Sequence, residues 1–346
     1  MLTINGAHGE GGGQILRTSV ALSTILNQPV HITNIRANRK NPGLAAQHLT
    51  SVRAAAMVCD AVLSGDTPGS TSLTFTPQSP PIAGLYEFNV ADAREGGSAG
   101  AVSLVLQTIL LPLALANGPS TVTVRGGTHV AWSPPFHYFQ GVYLPALAQL
   151  GIRAKADLLA WGWYPAGEGA VKLEIPGGDT LSPPPAEQWT QRGDLKQITG
   201  VAVASSLPAH IAQRICNRAI NLLAEARLPH NIQPQRVRST SPGAGIFLTA
   251  EYENGRAGFD ALGKKGKPSE VVAQEAVDDL LAFHRSGAAL DAHLADQLIL
   301  PLALAGFAGT LTTERVSKHT LTNLWVVEQF LGQTKIAVIE DQKIKG

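Results

Sequence analysis

The chain has 346 residues, of which 44% are hydrophobic and only 15% are charged, and its formal net charge is +1. This length and apolar content predict a large folded domain with room for a smaller one, and they exclude a disordered chain. The near-neutral charge argues against a protein that coats long stretches of nucleic acid, because many cations would be needed to neutralise the phosphates. A protein that grips one end of a strand remains compatible with it.

Other features of the composition predict a cytoplasmic protein. Cys59 and Cys216 lie far apart and fit no metal-binding spacing, so we expect reduced, buried thiols. The N-terminus has no basic flank followed by an apolar run, so we expect no secretory signal. The longest apolar run, 102–116, contains Gln107 and Pro112, which predicts a buried helix and no membrane span.

Hydrophobic periodicity predicts one supersecondary unit that occurs three times. Its clearest sign is the segment Pro-Leu-Ala-Leu-Ala at 112–116 and again at 301–305, followed each time by a glycine-containing turn and a strand. Each copy predicts a helix, a strand, a second helix and a further strand. In the first copy these are 15–26, 31–35, 44–62 and 72–76. In the second copy they are 102–116, 121–125, 136–150 and 155–159. In the third copy they are the helix that contains 301–305, and then 310–313, 321–331 and 335–339.

The third copy begins late, which predicts an insertion. The first two copies start about 90 residues apart, whereas the third starts about 190 residues later, so roughly 100 residues are extra, about one small domain. We therefore predict a large α/β domain of three repeated units over 1–182 and 286–346, with a smaller inserted α/β domain over 183–285. Two independent domains in series are the alternative. The insertion itself predicts a strand, helix, strand and helix at 197–203, 210–226, 245–252 and 269–283.

The first candidate site is the glycine-rich segment Gly9-Glu10-Gly-Gly-Gly-Gln14, directly before the first helix. Glycines let backbone N–H groups approach an anion, and the N-terminus of a helix favours negative charge. The segment lacks both the Gly-Lys-Ser/Thr of a P-loop and the dinucleotide-binding spacing. Glu10 would repel a phosphate unless a divalent cation lies between them, so the segment predicts either a metal-bridged phosphate site or a structural turn.

A second candidate is the basic loop 36–40, with Gln47 and His48 in the helix that follows. Guanidinium groups bind phosphate bidentately, and Arg17 of the first helix can join them. A solvated basic loop is the commoner explanation of such a run. The scarcity of charge elsewhere in this chain favours phosphate binding.

Polar residues in the other repeat loops have two interpretations each. Gln107 lies in an otherwise apolar helix, so its amide needs either a ligand or a hydrogen bond within the core. The segment 132–135 (Trp-Ser-Pro-Pro) predicts either a flat wall against which a base stacks or a rigid turn. Asp296, in the segment 293–297, predicts either helix capping or a contact with a ribose hydroxyl.

His319 lies between the predicted strand 310–313 and the predicted helix 321–331. The N-terminus of a helix disfavours an imidazolium, so the ring stays neutral and nucleophilic, and neighbouring Lys318 acts in the same direction. A structural role is the commoner alternative, because the chain has ten histidines. Lys318 is a rival nucleophile, although no Lys-x-Asp-Gly motif surrounds it. The residues alone thus predict an α/β protein with a phosphate-rich ligand and do not identify a reaction.

The chain resembles the RNA 3′-terminal phosphate cyclase family through six motifs in the same order. They are GEGGGQILR, RANRKNPGL with QH, GSAG with LVLQT, GGT with WSPP, HLADQLILPLALA and KHTLTN. The match covers nearly the whole chain outside the predicted insertion. The architecture of the family, three similar α/β units of the enolpyruvyl-transferase-like kind with a smaller inserted domain, agrees with the interpretation of the repeats.

The resemblance implies a role for each motif. His319 would attack the α-phosphate of ATP and carry AMP through a phosphoramidate bond, and Glu10 would hold a divalent cation, Mg²⁺ or Mn²⁺. The implied ATP-binding residues are Gln107, Pro134, His293, Leu294, Ala295, Asp296 and Gln297, with Pro135 also near the adenine. The implied phosphate-binding and RNA-binding residues are Arg17, Arg36, Arg39, Gln47 and His48.

The implied reaction has three steps, with ATP and an RNA 3′ end as the partners and no membrane. His319 displaces pyrophosphate, the RNA 3′-phosphate takes AMP from His319, and the adjacent 2′-OH attacks that phosphate and expels AMP. The chain departs from the family at His129, where Asp or Asn usually follows GGT. It also lacks a cysteine that some members carry in GSAG, and Ala45-Ala46 precede QH.

Two rival functions remain open at this point. One is a non-catalytic relative in ribosome assembly, against which the presence of His319, Glu10 and the arginines argues. The other is an enolpyruvyl-transferase-like enzyme. Such enzymes need two halves of three units each, and the chain supplies only one.

Overall fold

The computed structural model describes residues 1–93 and 96–340, so residues 341–346 of the predicted large domain lie outside the described part. The first unit contains a four-stranded sheet with strand order β1-β2-β4-β3 and two helices. Strands β1 and β2 are parallel, and β4 runs antiparallel to both β2 and β3. The elements are β1 (Leu2–Asn5), α1 (Gly13–Leu26), β2 (Val30–Thr33), α2 (Ala46–Val58), β3 (Val62–Ser64) and β4 (Leu73–Thr76).

The second unit repeats the same topology, with strand order β5-β6-β8-β7. Its second helix is broken into two short α-helical pieces joined by a π-helical turn, Phe139–Tyr143. Strands β5 and β6 are parallel, and β8 is antiparallel to β6 and β7. The elements are β5 (Leu85–Asn89), α3 (Val102–Leu115), β6 (Ser120–Gly126), α4 (Phe136–Tyr138), α5 (Leu144–Ala148), β7 (Lys155–Ala160) and β8 (Gly169–Ile175).

Between the second and third units lies a separate sheet with strand order β10-β9-β11-β12. The elements are β9 (Leu195–Ser205), α6 (Ala209–Glu225), β10 (His230–Val237), β11 (Gly243–Tyr252), β12 (Arg256–Leu262) and α7 (Ser269–Ser286). The prediction omitted β10 and β12. Both are edge strands, and the proline of β10 and the glycine and aspartate of β12 disguise the strand pattern.

The third unit follows this sheet and contains α8 (Ala292–Leu304), β13 (Ala308–Thr313), α9 (Lys318–Leu331) and β14 (Lys335–Glu340). Strands β13 and β14 are parallel, and Leu290 pairs with Thr313 in the position that β1 and β5 occupy in the other units. The prediction of an α/β protein with three repeated units and a smaller α/β sheet between the second and third is confirmed.

Two large hydrophobic cores and a small cluster of Trp163, Val203 and Phe247 account for this arrangement in the described ranges. The larger is built from all three repeated units, where α1 packs against α2, α3 and α9. The smaller lies between the sheet of β9–β12 and the helices α6 and α7. Trp189, which lies beyond the predicted boundary at 183, belongs to the larger core. The boundaries at 183 and 285 remain a prediction.

Local predictions had mixed outcomes. The predicted helix 44–62 was too long, because the backbone turns at Cys59 and Asp60, whose φ is +49°, and Val62 begins a strand. Cys59 and Cys216 are buried free thiols as predicted, and burial raises the pKa of Cys59 to about 11. The apolar run 102–116 forms the buried helix α3. Among the helices in the described ranges, none has the length and apolar character that a membrane span requires.

Candidate active site

A chain of three charged or ionisable side chains joins the first unit to the third. Glu10 accepts a hydrogen bond from Arg39 at 2.6 Å through Oε1, and its Oε2 lies 2.9 Å from Nε2 of His319. Glu10 comes from the glycine-rich segment, Arg39 from the basic loop, and His319 from the first turn of α9. These three predicted residues, which are scattered in sequence, therefore lie together.

The glycines of the segment are required by close packing around the start of α1. Gly11 has φ of +60°, which favours glycine. A Cβ at Gly12 would lie 2.4 Å from Oε1 of Gln14, and one at Gly13 would lie 2.2 Å from Nε2 of His48 and 2.9 Å from Arg17. Glycine thus lets three polar side chains approach the backbone where α1 begins.

The start of α1 is an anion-attracting position. Gly12 is its N-cap and supplies no side-chain hydrogen bond, so the first backbone N–H groups have no capping acceptor. Burial lowers the pKa of Arg17 to about 10, which leaves it charged at neutral pH. Burial, together with Arg17 and Arg36, holds the pKa of His48 well below its ordinary value, so its ring is neutral.

Arg36 and Gln47 have partners within the protein. Arg36 adopts a φ of +53° and donates to the carbonyl oxygen of Gly43 at 2.7 Å. Burial and the charge of Arg39 lower the pKa of Arg36. Oε1 of Gln47 accepts from the backbone N–H of Ala101 at 3.0 Å, which ties α2 to the second unit. Gln47 therefore positions the GSAG loop, and only its amide nitrogen is available to a phosphate.

Asp296 of α8 belongs to a hydrogen-bonded chain that links α8 to α9 and α1. Asn323 of α9 donates to Oδ1 of Asp296 at 2.6 Å and accepts from Thr18 of α1 at 2.8 Å. Burial raises the pKa of Asp296, while His319, Asn323, His293 and Arg17 act in the opposite direction. Sequence reasoning had not selected Asn323 or Thr18, although Asn323 belongs to the KHTLTN motif.

The capping interpretation of Asp296 is wrong, because Asp291 caps α8 by accepting from the backbone N–H groups of His293 and Leu294. Asp291 also accepts from the Tyr138 hydroxyl at 2.7 Å. Leu294 and Ala295 pack in the core, so only their backbone could meet a ligand, whereas the side chain of His293 is exposed.

The remaining predicted residues lie on neighbouring elements. Nε2 of Gln107 donates to Oε1 of Gln297 at 2.8 Å, so a side chain of the third unit satisfies the amide that α3 carries. The carbonyl oxygen of Pro134 accepts from Ser103 at 2.6 Å, which fixes the Pro-Pro turn against α3. Trp132 of that segment is 99% exposed and contributes no wall to a pocket.

The donor set for a divalent cation is small. In the ranges that the structure covers, no three His, Cys, Asp or Glu side chains cluster in a way that would hold a metal ion. Glu10 offers one carboxylate, whose oxygens are engaged by Arg39 and His319. Such a site fits a cation that takes most of its ligands from substrate phosphates and water, as Mg²⁺ commonly does.

The fold and this site define a class: an α/β protein of three repeated units with a histidine–carboxylate pair beside a helix N-terminus that arginine side chains approach. The model of the family "RNA 3′-terminal phosphate cyclase" matches residues 8–336. The chain therefore belongs to the RNA 3′-terminal phosphate cyclase family and is an enzyme.

Individual relatives agree with this assignment. Proteins named RNA 3′-terminal phosphate cyclase from Nostoc punctiforme and Methylococcus capsulatus are each 52% identical, over 99% and 95% of this chain and 98% and 91% of theirs. The one from Pyrococcus abyssi is 41% identical over 96% of this chain and 94% of its own. Among solved structures, the enolpyruvyl transferase NikO from Streptomyces tendae matches 63% of this chain and 37% of its own, with 17% identity and a TM-score of 0.28.

Proposed function

We propose that this enzyme uses ATP to convert an RNA 3′-terminal phosphate into a 2′,3′-cyclic phosphodiester, with a covalent histidine–AMP intermediate on His319. The observation that carries the proposal is the position of His319. It lies in the first turn of α9, 2.9 Å from Glu10 and next to the arginine-rich start of α1. A nucleophile, an acid–base partner and a phosphate site thus lie together.

The first step is attack of a His319 ring nitrogen on the α-phosphorus of ATP. The N–P bond forms as the bond to pyrophosphate breaks, and Arg17, Arg36 and Arg39 neutralise the departing charge. The Glu10 contact supports a path for the ring proton, because a carboxylate 2.9 Å from Nε2 can accept it. A divalent cation, when bound at Glu10, would further stabilise the phosphate charge.

ATP would lie between the second and third units. The paired amides of Gln107 and Gln297 join these two units, the side chain of His293 is exposed, and the Pro134 turn is held against α3 by Ser103. Asp296 is a half-buried carboxylate held by Asn323 and can accept a hydrogen bond from a ribose hydroxyl. These residues supply polar contacts for a nucleoside, which supports ATP as the adenylate donor.

The last two steps use the same phosphate site. An RNA 3′-phosphate oxygen attacks the adenylate phosphorus, the bond to His319 breaks, and an activated RNA–AMP anhydride forms. The vicinal 2′-OH then attacks the terminal phosphorus, loses its proton and expels AMP. This step is intramolecular, so holding the ribose and phosphate in the correct orientation supplies much of the rate.

The decisive experiment is adenylation with α-labelled ATP and a divalent cation. We expect the wild type to form acid-labile protein-bound AMP and His319→Ala to form none while keeping its circular dichroism spectrum. Lys318→Ala is the matched control, because it removes the adjacent rival nucleophile, and it should still be labelled. Labelling of His319→Ala, or loss of labelling only in Lys318→Ala, would move the nucleophile away from His319.

A further inference from the structure

Gln14 is a buried amide without a hydrogen-bonding partner. It occupies the first turn of α1, is 5% exposed, and neither Nε2 nor Oε1 has a partner among the described residues. Buried amides are nearly always paired, because leaving them unpaired loses the hydrogen bonds that water would supply. An unpaired amide at this place therefore points to a partner that arrives with a ligand.

The amide faces the N-terminus of α1. The position of a Cβ on Gly12, the N-cap, is 2.4 Å from Oε1 of Gln14 and 3.1 Å from a terminal nitrogen of Arg39. The backbone N–H groups of this first turn, whose N-cap Gly12 has no side chain, and the half-buried Arg17 lie at the same end of the helix. A second buried polar atom, Nδ1 of His48, also has no partner in the described chain. Donors and cations thus surround the amide.

Arg39 lies near Gln14, because both side chains approach the backbone of Gly12. Its side chain is 39% exposed and donates to Glu10, while its guanidinium lies over the Gly12 backbone close to the Gln14 amide. If Glu10 turns to another partner during the reaction, Arg39 loses its acceptor. Oε1 of Gln14 is then a neighbouring acceptor that nothing else in the described chain occupies.

We propose that Gln14 is a phosphate-recognition residue of this site. Its Nε2 donates to an oxygen of a substrate phosphate, and its Oε1 accepts from Arg39 after Arg39 leaves Glu10. The amide then links the cation to the phosphate that this cation neutralises, and a ligand satisfies both unpaired atoms. An amide can donate and accept at the same time, whereas an ionised glutamate only accepts, a lysine only donates and a methionine is at most a weak acceptor. The inference rests on the proposed function for the identity of the phosphate.

Two substrates carry the required chemistry, the triphosphate of ATP and the terminal phosphate of RNA. Two measurements distinguish these possibilities. One is KM for ATP in enzyme–AMP formation, and the other is KM for a 3′-phosphorylated RNA with preformed enzyme–AMP. Gln14→Met keeps the size of the side chain and removes both hydrogen-bonding atoms. We expect one of the two KM values to rise about tenfold, equivalent to about 1.4 kcal/mol, with kcat changed much less.

Two further variants exclude a purely structural effect. Ser19→Ala removes another buried, unpaired polar atom from the same helix, and it should leave both KM values unchanged. Gln14→Glu keeps the acceptor for Arg39 and adds a negative charge, so it should raise the same KM more than Gln14→Met does. A structural role would instead let KM follow the thermal stability of each variant.

The outcomes are distinct. The proposal is supported if KM for ATP or KM for RNA is lowest in wild type, higher in Gln14→Met and highest in Gln14→Glu. The substrate whose KM rises identifies which phosphate is bound. Equal KM values in wild type and Gln14→Met overturn it. If wild type forms no enzyme–AMP, the proposed function fails, and Gln14 is tested by calorimetric binding of inorganic pyrophosphate. Equal affinity of wild type and Gln14→Met would then overturn the inference independently.

Discussion

His137 connects the second repeated unit to the sheet of β9–β12 through a buried aromatic cluster, and it makes that contact sensitive to pH. Nδ1 of His137 lies 2.9 Å from Nε2 of His129, and its ring stacks on Phe247 of β11 with centroids 4.9 Å apart. Trp161 stacks on His129 at 4.3 Å. Burial lowers the pKa of His137 to about 4, and burial together with His137 holds the pKa of His129 well below its ordinary value.

The sign of the effect follows from proton linkage. A histidine whose pKa is lower in the folded state stays neutral there while the unfolded chain takes up a proton. His137 therefore contributes its full stability above its ordinary pKa of about 6.5 and loses it as the pH falls toward about 4. Between about pH 7 and about pH 5 this one group should lose roughly 2 kcal/mol of unfolding free energy.

We predict that His137→Phe removes this pH dependence. Phenylalanine keeps the stacking on Phe247 but deprives His129 of a hydrogen-bonding partner, so the variant should be less stable at neutral pH by about 1–3 kcal/mol. Its stability should then fall by roughly 2 kcal/mol less than that of wild type when the pH is lowered to about 5. Urea unfolding followed by tryptophan fluorescence measures this, because Trp161 and Trp163 lie in the cluster.

The comparison between variants cancels the titrating groups that do not contact His137, so it reports on the His137–His129 pair. Asp260, whose pKa burial raises to about 6, acts in the opposite direction but is present in both proteins. His210→Phe, at an exposed position of α6, is the control and should follow the wild type at both pH values. If wild type and His137→Phe lose equal stability on acidification, the histidine pair is not the origin of the pH dependence.

Two other substitutions test the site. Glu10→Ala should slow enzyme–AMP formation at least tenfold and weaken its dependence on the divalent cation, because it removes the carboxylate that pairs with His319; an unchanged metal titration would contradict the metal-binding role. Gly13→Ala should raise KM for phosphate substrates and cost about 1–3 kcal/mol of stability, because the new Cβ would lie 2.2 Å from His48. Gly255→Ala is its control, because a Cβ there meets nothing within 4 Å. If Gly13→Ala and Gly255→Ala have the same melting temperature and the same KM, crowding at Gly13 has no effect and the prediction is wrong.

The departure at His129 has a structural reason that the sequence did not show. Its Nδ1 lies 2.8 Å from the Thr128 hydroxyl, and its ring packs among Trp161, His137 and Phe247. It therefore belongs to the contact between the second unit and the β9–β12 sheet. The motif did not indicate what His129 does. We expect His129 to influence the stability of the contact between the second unit and the β9–β12 sheet, which the His137 experiment measures.

The sequence alone determined the repeated units and the motifs at their loops. Apolar periodicity located α1, α3 and α6 to within two residues at each end, because the spacing of buried positions within one helix is a local property. The glycines before α1 likewise predicted a close approach of other groups to its backbone. What those groups are did not follow from the glycines themselves.

Tertiary structure decided which side chains meet. The contact between Glu10 and His319, the pairing of Gln107 with Gln297, and the unpaired amide of Gln14 all lie where helices of different units pack. No local pattern encodes such pairs, because they depend on how α1 packs against α9 and on how the units share one core. The sequence named most members of the site, and packing determined their partners, their burial and hence their charge.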